Sequence, residues 1–256
     1  MFKSKQEGKG ILRAENFLTS EYTPDKLPHR EEEIKEIANS IRPMFQRRKP
    51  ENLFVYGPPG TGKTSCVKHV QKELENNTTA TPVYVNAWNY DTRTSCYAKI
   101  LHSLGVPFPR KGKPVDVLYD RIVETASKKK NLVIAIDEID QLGAEKSKTF
   151  YDLVRMEREE EDFEVAVIVI GYKADTLSDL DSRAGSSFSP RTMHFSPYKK
   201  HELVDILNKR VEKAFRPVKV DNETIAPKAE FGTDNERDCR MILHMLMRVA
   251  EIDRLG

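Results

Sequence analysis

Apolar residues recur along this chain in two rhythms. Residues 53–56, 83–86, 132–136 and 165–170 form short runs rich in Val and Ile, the last two almost wholly apolar. Runs of that length without strict alternation predict strands covered by helices on both faces. Between them the apolar positions fall three and four apart. Residues 30–44 carry Ile34, Ile37, Ile41 and Met44 at helical spacing, and further helical patterns cover 64–74, 95–104, 115–127 and 148–157. Strands alternating with helices predict an α/β fold on a parallel sheet. After Pro197 the strand pattern stops. Residues 199–214 are amphipathic, 221–229 are short and interrupted by Pro227, and 237–252 place Ile242, Met245, Leu246 and Val249 on one face. The expected organisation is a flexible N-terminus over 1–20, an α/β domain over 21–197 with a long helical excursion at 87–130, and a small all-helical domain over 198–256.

Composition narrows the class without naming a function. The 256 residues include 42 Lys and Arg against 40 Asp and Glu, a net charge of +2, with 38% hydrophobic residues. That excludes a collagenous or wholly disordered chain. No apolar run approaches the ~20 residues of a membrane span, and the start MFKSKQEGKG has no apolar core of a secretory signal. Cys66, Cys96 and Cys239 are too few and too scattered for a disulfide framework or a zinc site. They are expected to be free thiols in a reducing cytoplasm, with no membrane partner.

The chemistry sits at the ends of two strands. Gly57-Pro58-Pro59-Gly60-Thr61-Gly62-Lys63-Thr64 follows the first strand and opens a helix, with Ser65 next in that helix. This is the GxxxxGK[ST] phosphate loop in the context it needs. Glycines let the backbone approach phosphate oxygens, and the N–H groups from Gly60 to Thr64 make an anion nest at a helix N-terminus. Lys63 supplies a charge for the β- and γ-phosphates of ATP, or the β-phosphate of ADP, and Thr64 suits Mg2+. The apolar run Leu132-Val133-Ile134-Ala135-Ile136 ends in Asp137-Glu138. Asp137 suits a water-mediated Mg2+ contact, and Glu138 suits polarising an attacking water.

GPPGTGKT, Ile136-Asp137-Glu138-Ile139-Asp140 and a trailing helical domain resemble the AAA+ ATPases. More narrowly, the chain is similar to the archaeal-type origin-recognition and cell-division-control replication initiators. The matching segments are residues 22–31, ending Leu27-Pro28-His29-Arg30-Glu31; residues 52–57; Phe195-Ser196-Pro197-Tyr198; and Asp238-Cys239-Arg240. The resemblance implies an AAA+ core with a helical lid and ATP hydrolysis. It places Pro28, His29 and Arg30 against the adenine, Tyr198 and Arg210 near the nucleotide, and Arg240 at the γ-phosphate. It makes Arg183 a finger that completes a neighbouring site, through self-assembly or a related AAA+ subunit. Origin duplex DNA and a replicative helicase are the implied partners.

Two departures from the family pattern matter. At the end of the fourth strand, Gly171-Tyr172-Lys173-Ala174-Asp175 puts Ala174 where the family usually has a polar residue to orient water, and the loop is shorter. Weak or slow hydrolysis with intact nucleotide binding is expected. The family also usually continues into a winged-helix DNA-binding domain, whereas this sequence stops at Gly256; a shortened chain and a naturally short relative both remain open. The excursion at 87–130 resembles the initiators' extra helical insertion, with Arg110, Lys111 and Lys113 as phosphate contacts and Phe108 as a wedge. Trp88 and Tyr90 fit base stacking or, more commonly for aromatics after a strand, the core. Alternatives are another AAA+ ATPase, clamp-loader-like or a transposition regulator, and a nucleotide-gated scaffold without its own origin recognition.

Overall fold

The computed structural model describes residues 13–19, 22–107, 114–129, 131–156, 163–215 and 243–248. The chain divides into two compact units. One comprises Arg30–Pro58 and Gly62–Ser196; the other comprises Met1–His29 and Pro197–Gly256, together with Pro59–Thr61.

The larger unit is built on five strands: β1 (Leu53–Tyr56), β2 (Thr81–Asn86), β3 (Asn131–Asp137), β4 (Glu164–Gly171) and β5 (Arg191–His194). They are parallel, in the order β2-β3-β4-β1-β5. The helices are α1 (Glu31–Ile41), α2 (Lys63–Asn77), α3 (Arg93–Ser103), α4 (Val115–Ser127), α5 (Lys146–Arg155) and α6 (Ser182–Phe188). Alternate strand residues, among them Val83, Ile134, Val167 and Phe54, pack with Ile100, Ile122, Phe150 and Phe188 from α3 to α6. On α2, Gln71 is buried and donates from Nε2 to Val83 O (3.0 Å) and Val133 O (3.5 Å). A buried amide is tolerated there because strand carbonyls accept from it.

Side chains also pin the elements that follow the strands. Lys146, 5% exposed, donates from Nζ to Thr176 O at 2.8 Å and to Asp179 Oδ1 at 2.9 Å. Its neighbour Ser147 accepts from Asp181 N–H at 3.0 Å, and Asp181 caps α6 by accepting from Ala184 N–H at 2.8 Å. Phe150 and Phe188 stack with centroids 4.8 Å apart. In the excursion at 87–130, Arg93 of α3 pairs with Asp152 of α5, and Tyr97 donates its hydroxyl to the same carboxylate at 2.6 Å.

In the smaller unit, α7 (Lys200–Ala214) packs Leu203, Leu207 and Val211 with Leu18, Leu243 and Leu246. Residues 243–248, inside the helix expected over 237–252, are helical; the 221–229 expectation lies outside the described residues.

Several sequence expectations change. The flexible stretch placed at 1–20 does not extend over 13–19. Leu18 is 1% exposed, and the N–H groups of Arg13 and Ala14 donate to Ala214 O at 2.7 and 2.9 Å. The expected domain start at 21 moves to Arg30, because 22–29 group with the C-terminal helices. The helix expected over 30–44 ends at Ile41 and tightens into a 3-10 turn (Arg42–Gln46), where Pro43 lacks a backbone donor. The pattern missed β5, an edge strand with only Met193 buried, which carries no apolar run. Tyr90 packs against the core, whereas Trp88 is 69% exposed.

Cys66 and Cys96 are free and fully buried, and burial pushes both thiols up to about 12. Thiolate is the reactive form. Neither is therefore expected to react with Ellman's reagent at pH 8 in the folded protein, while both react in denaturant. Mass mapping of labelled peptides checks this.

Candidate nucleotide site

β1 delivers the chain into the phosphate loop at its C-terminal end, and α2 leaves it. Gly57 has φ 148°, and a Cβ there would lie 2.3 Å from Phe195 O. Only glycine fits, because Gly57 also donates its N–H to Tyr172 O at 3.2 Å, so its backbone has little room to move away. Gly62, at φ 90°, forms the N-cap of α2. Lys63, Thr64 and Ser65 then make the first turn, where helix N–H groups are without intrahelical acceptors and favour an anion. Lys63 donates from Nζ to Gly57 O at 2.6 Å and to Pro58 O at 2.8 Å, which places the ammonium over the loop's own backbone.

β3 brings the acidic half. Asp137 is 3% exposed and accepts three hydrogen bonds. Thr64 Oγ1 and Tyr84 Oη each donate to Oδ2 at 2.7 Å, and Glu138 N–H donates to Oδ1 at 2.9 Å. A buried carboxylate at the end of the apolar run 132–136 needs such donors. Glu138 is exposed and left-handed, with φ 57° and ψ 44°. That conformation costs a non-glycine residue about 1–2 kcal/mol and is concentrated at functional sites.

The donor set fits Mg2+. Thr64 commits its hydrogen to Asp137, so its oxygen lone pairs remain for a cation, and both groups are hard oxygen ligands. Among the described residues no group of three or more His, Cys, Asp or Glu could hold a metal alone. Magnesium is commonly held by one or two protein oxygens plus phosphate oxygens and water.

Tyr84 is a site residue that sequence reasoning missed. It lies on β2 opposite Ala135, and its ring sits under Lys68 Nζ at 4.5 Å. Burial, then the charge of Asp137, pushes its phenol well above the ordinary range, so the hydroxyl stays a donor. The available signal was its place between Val83 and Val85, on the face opposite the core residues of an alternating strand.

The structure thus joins Thr64 to Asp137 and sets Glu138 beside them, with Lys63 in the same helical turn as Thr64. The other candidates have contacts of their own. Arg30, 5% exposed, donates from its guanidinium to Glu33 Oε1 and Ser196 O, both at 2.6 Å, and lies over the Phe195 ring. In the smaller unit, His29 (φ 63°) meets Asp205 Oδ2 at 3.0 Å, Pro28 is half-buried and Tyr198 packs against the helical core. Arg210 donates to Phe17 O and Tyr22 O, both at 3.1 Å, tying the N-terminal segment to α7. Arg183 is exposed on α6, and Ala174 is exposed at the start of a 3-10 turn after β4. Arg110, Lys111, Lys113, Phe108 and Arg240 lie outside the described residues.

A parallel β2-β3-β4-β1-β5 sheet, a phosphate loop after β1 and an acidic pair after β3 define a P-loop nucleotide-binding core. A family profile described as "AAA domain" matches residues 46–176, and the chain belongs to that family. Within it the kinship is with ORC1-type DNA replication proteins. The chain is 32% identical over 248 residues to ORC1-type DNA replication protein 1 of Archaeoglobus fulgidus, covering 94% of this chain and 61% of that protein. It is 33% identical over 263 residues to the ORC1-type DNA replication protein of Pyrococcus horikoshii, covering 98% and 63%. The chain therefore spans less than two thirds of these relatives. The Aeropyrum pernix ORC1 protein, solved in complex with DNA, superposes with a TM-score of 0.86 at 30% identity, covering 96% of this chain and 66% of that one. The fold is also that of CDC6P from Pyrobaculum aerophilum, at a TM-score of 0.82 and 24% identity.

Gly57→Ala tests the loop. The clash with Phe195 O and the forbidden φ are expected to cost at least about 2 kcal/mol. Urea unfolding should show a lowered midpoint with an unchanged m-value, and ADP affinity should fall in parallel.

Proposed function

We propose that this chain is an ATP-binding, slowly hydrolysing DNA replication initiator. In this reading it binds origin duplex DNA and helps recruit or load the replicative helicase. One observation carries the reading: the Thr64–Asp137 hydrogen bond beside a phosphate loop, in a chain with ORC1-type kinship. The nucleic-acid partner is supported by the likeness to the A. pernix ORC1 protein, which was solved with DNA.

The reaction is ATP + water → ADP + phosphate. N–H groups of residues 60–64 and the Lys63 ammonium bind the β- and γ-phosphates. Thr64 and Asp137 hold the side of the site where Mg2+ would bind, and the metal would supply charge neutralisation on the phosphate oxygens. Glu138 accepts a proton from the attacking water at its carboxylate. Arg183 of a second copy or a related subunit, and Arg240 of the same chain, stabilise charge on the γ-phosphoryl group. In this reading Pro28, His29 and Arg30 belong to the adenine side and Tyr198 and Arg210 lie near the nucleotide, with the side chains of Arg30 and Arg210 also acting as struts. Ala174 offers only a methyl group to water after β4, so hydrolysis is slow and the nucleotide serves as a long-lived state marker. The nucleotide state sets DNA affinity in this reading.

Single-turnover hydrolysis by the purified chain should be slow, and Ala174→Asn should raise the rate about 10-fold or more by adding a water-orienting donor. A wild-type rate that Ala174→Asn leaves unchanged removes Ala174 as the cause. For DNA, replacing Arg110, Lys111 and Lys113 by Ala should weaken duplex binding uniformly across sequences. The slope of log K against log[salt] should flatten by about 0.9 per lost phosphate contact. Filter binding at several salt concentrations, with ATP, with ADP and without nucleotide, checks both the patch and the nucleotide control.

A further inference from the structure

We propose that Tyr84 is a positioning residue for Asp137: its phenol fixes the carboxylate oxygen that also receives the Thr64 hydroxyl, and so sets the magnesium dependence of nucleotide binding. The inference rests on the reading that Thr64 and Asp137 hold a magnesium nucleotide.

The strand register makes the contact. Tyr84 of β2 pairs with Ala135 of β3, and Asn86 pairs with Asp137. Asp137 is therefore the diagonal neighbour of Tyr84 on the same face, a separation an aromatic side chain can bridge. Ala135 presents only a methyl group opposite Tyr84, so nothing bulky stands directly across from the ring. The Lys68 ammonium, 4.5 Å from the ring centroid, covers it from α2. The phenol reaches Asp137 Oδ2 at 2.7 Å, the same distance as the Thr64 hydroxyl to that oxygen.

Three donors decide the carboxylate plane. The terminal torsion of Asp is soft. Glu138 N–H holds Oδ1 at 2.9 Å, while Thr64 and Tyr84 converge on Oδ2. With Oδ2 held by Tyr84, the Thr64 hydroxyl has a fixed acceptor, and its lone pairs keep one direction for a cation. Without the phenol, Asp137 can turn and carry Thr64 with it. Ordering that pair then falls to the metal, and its apparent affinity drops. Phosphate binding by the loop and Lys63 does not pass through Tyr84.

Calorimetric titration of ADP, in excess Mg2+ and in EDTA, separates these contributions. The proteins are the wild type, Tyr84→Phe and Lys68→Met. Tyr84→Phe keeps the ring under Lys68 and removes one oxygen, and circular dichroism of the apo protein checks its fold. The EDTA affinity of Tyr84→Phe should stay within about twofold of wild type, while the gain from Mg2+ falls by about 10-fold or more, as for other groups that orient a metal ligand. Lys68→Met should keep the wild-type gain. A wild-type ratio of affinities in Tyr84→Phe overturns the proposal. So does an equal loss with and without Mg2+, which marks the phenol as a support of the fold alone. Wild-type protein that binds no ADP overturns the underlying reading of the site instead, and this inference with it.

Discussion

The hydrogen bond from Thr64 to Asp137 is the constraint on which the site depends. It ties the first turn of α2 to the last residue of β3, so the phosphate loop and the acidic pair cannot drift apart. The rest of α2 is written to hold that contact. Thr64, Lys68 and Gln71 succeed one another at helical spacing, bonding Asp137, covering the Tyr84 ring and reaching the Val83 carbonyl in turn. This polar stripe runs beside Cys66, Val67, Val70 and Leu74, which supply the apolar burial. Burial gives the helix its stability, and the stripe gives it a register.

A second theme is the use of cations as struts within each unit. Arg30 closes the start of α1 onto the segment after β5 through Ser196 O. Lys146 holds the loop after β4 through Thr176 O and Asp179, and Ser147 beside it holds the start of α6. Arg210 does the same in the helical unit, gathering Phe17 O and Tyr22 O. Buried guanidinium and ammonium groups need acceptors, and loop carbonyls need donors. Arg30 and Lys146 satisfy both, and all three fix segments that have no sheet partner.

Much of this was legible in the sequence, for a physical reason in each case. β1 and α4 fall on the residues their apolar patterns outline, because short buried strands and amphipathic helices carry strong periodicity. The phosphate loop was legible because phosphate chemistry constrains residue type at several fixed spacings. β5 was not, since an edge strand reading Arg-Thr-Met-His has one buried residue and no pattern to find. Residues 13–19 were not, because their anchoring depends on α7, nearly two hundred residues away in a contact such as Arg210 with Phe17 (|i−j| of 193). The Tyr84 contact depends on strand register, which no local window contains. Arg30 and Arg210 show the limit of resemblance: it marks the segment, while the side-chain partners come only from the packing.

The proposed nucleotide binding depends on phosphates sitting against the Lys63 ammonium. The most direct measurement is the affinity of ATP and ADP for the folded wild-type chain and for Lys63→Ala, each compared at matched stability. Removing the ammonium should weaken both nucleotides by about 1.5–3 kcal/mol or more, the range for a hydrogen bond to a charged group, which is tenfold to a hundredfold in affinity. Equal affinity in the two proteins would contradict it.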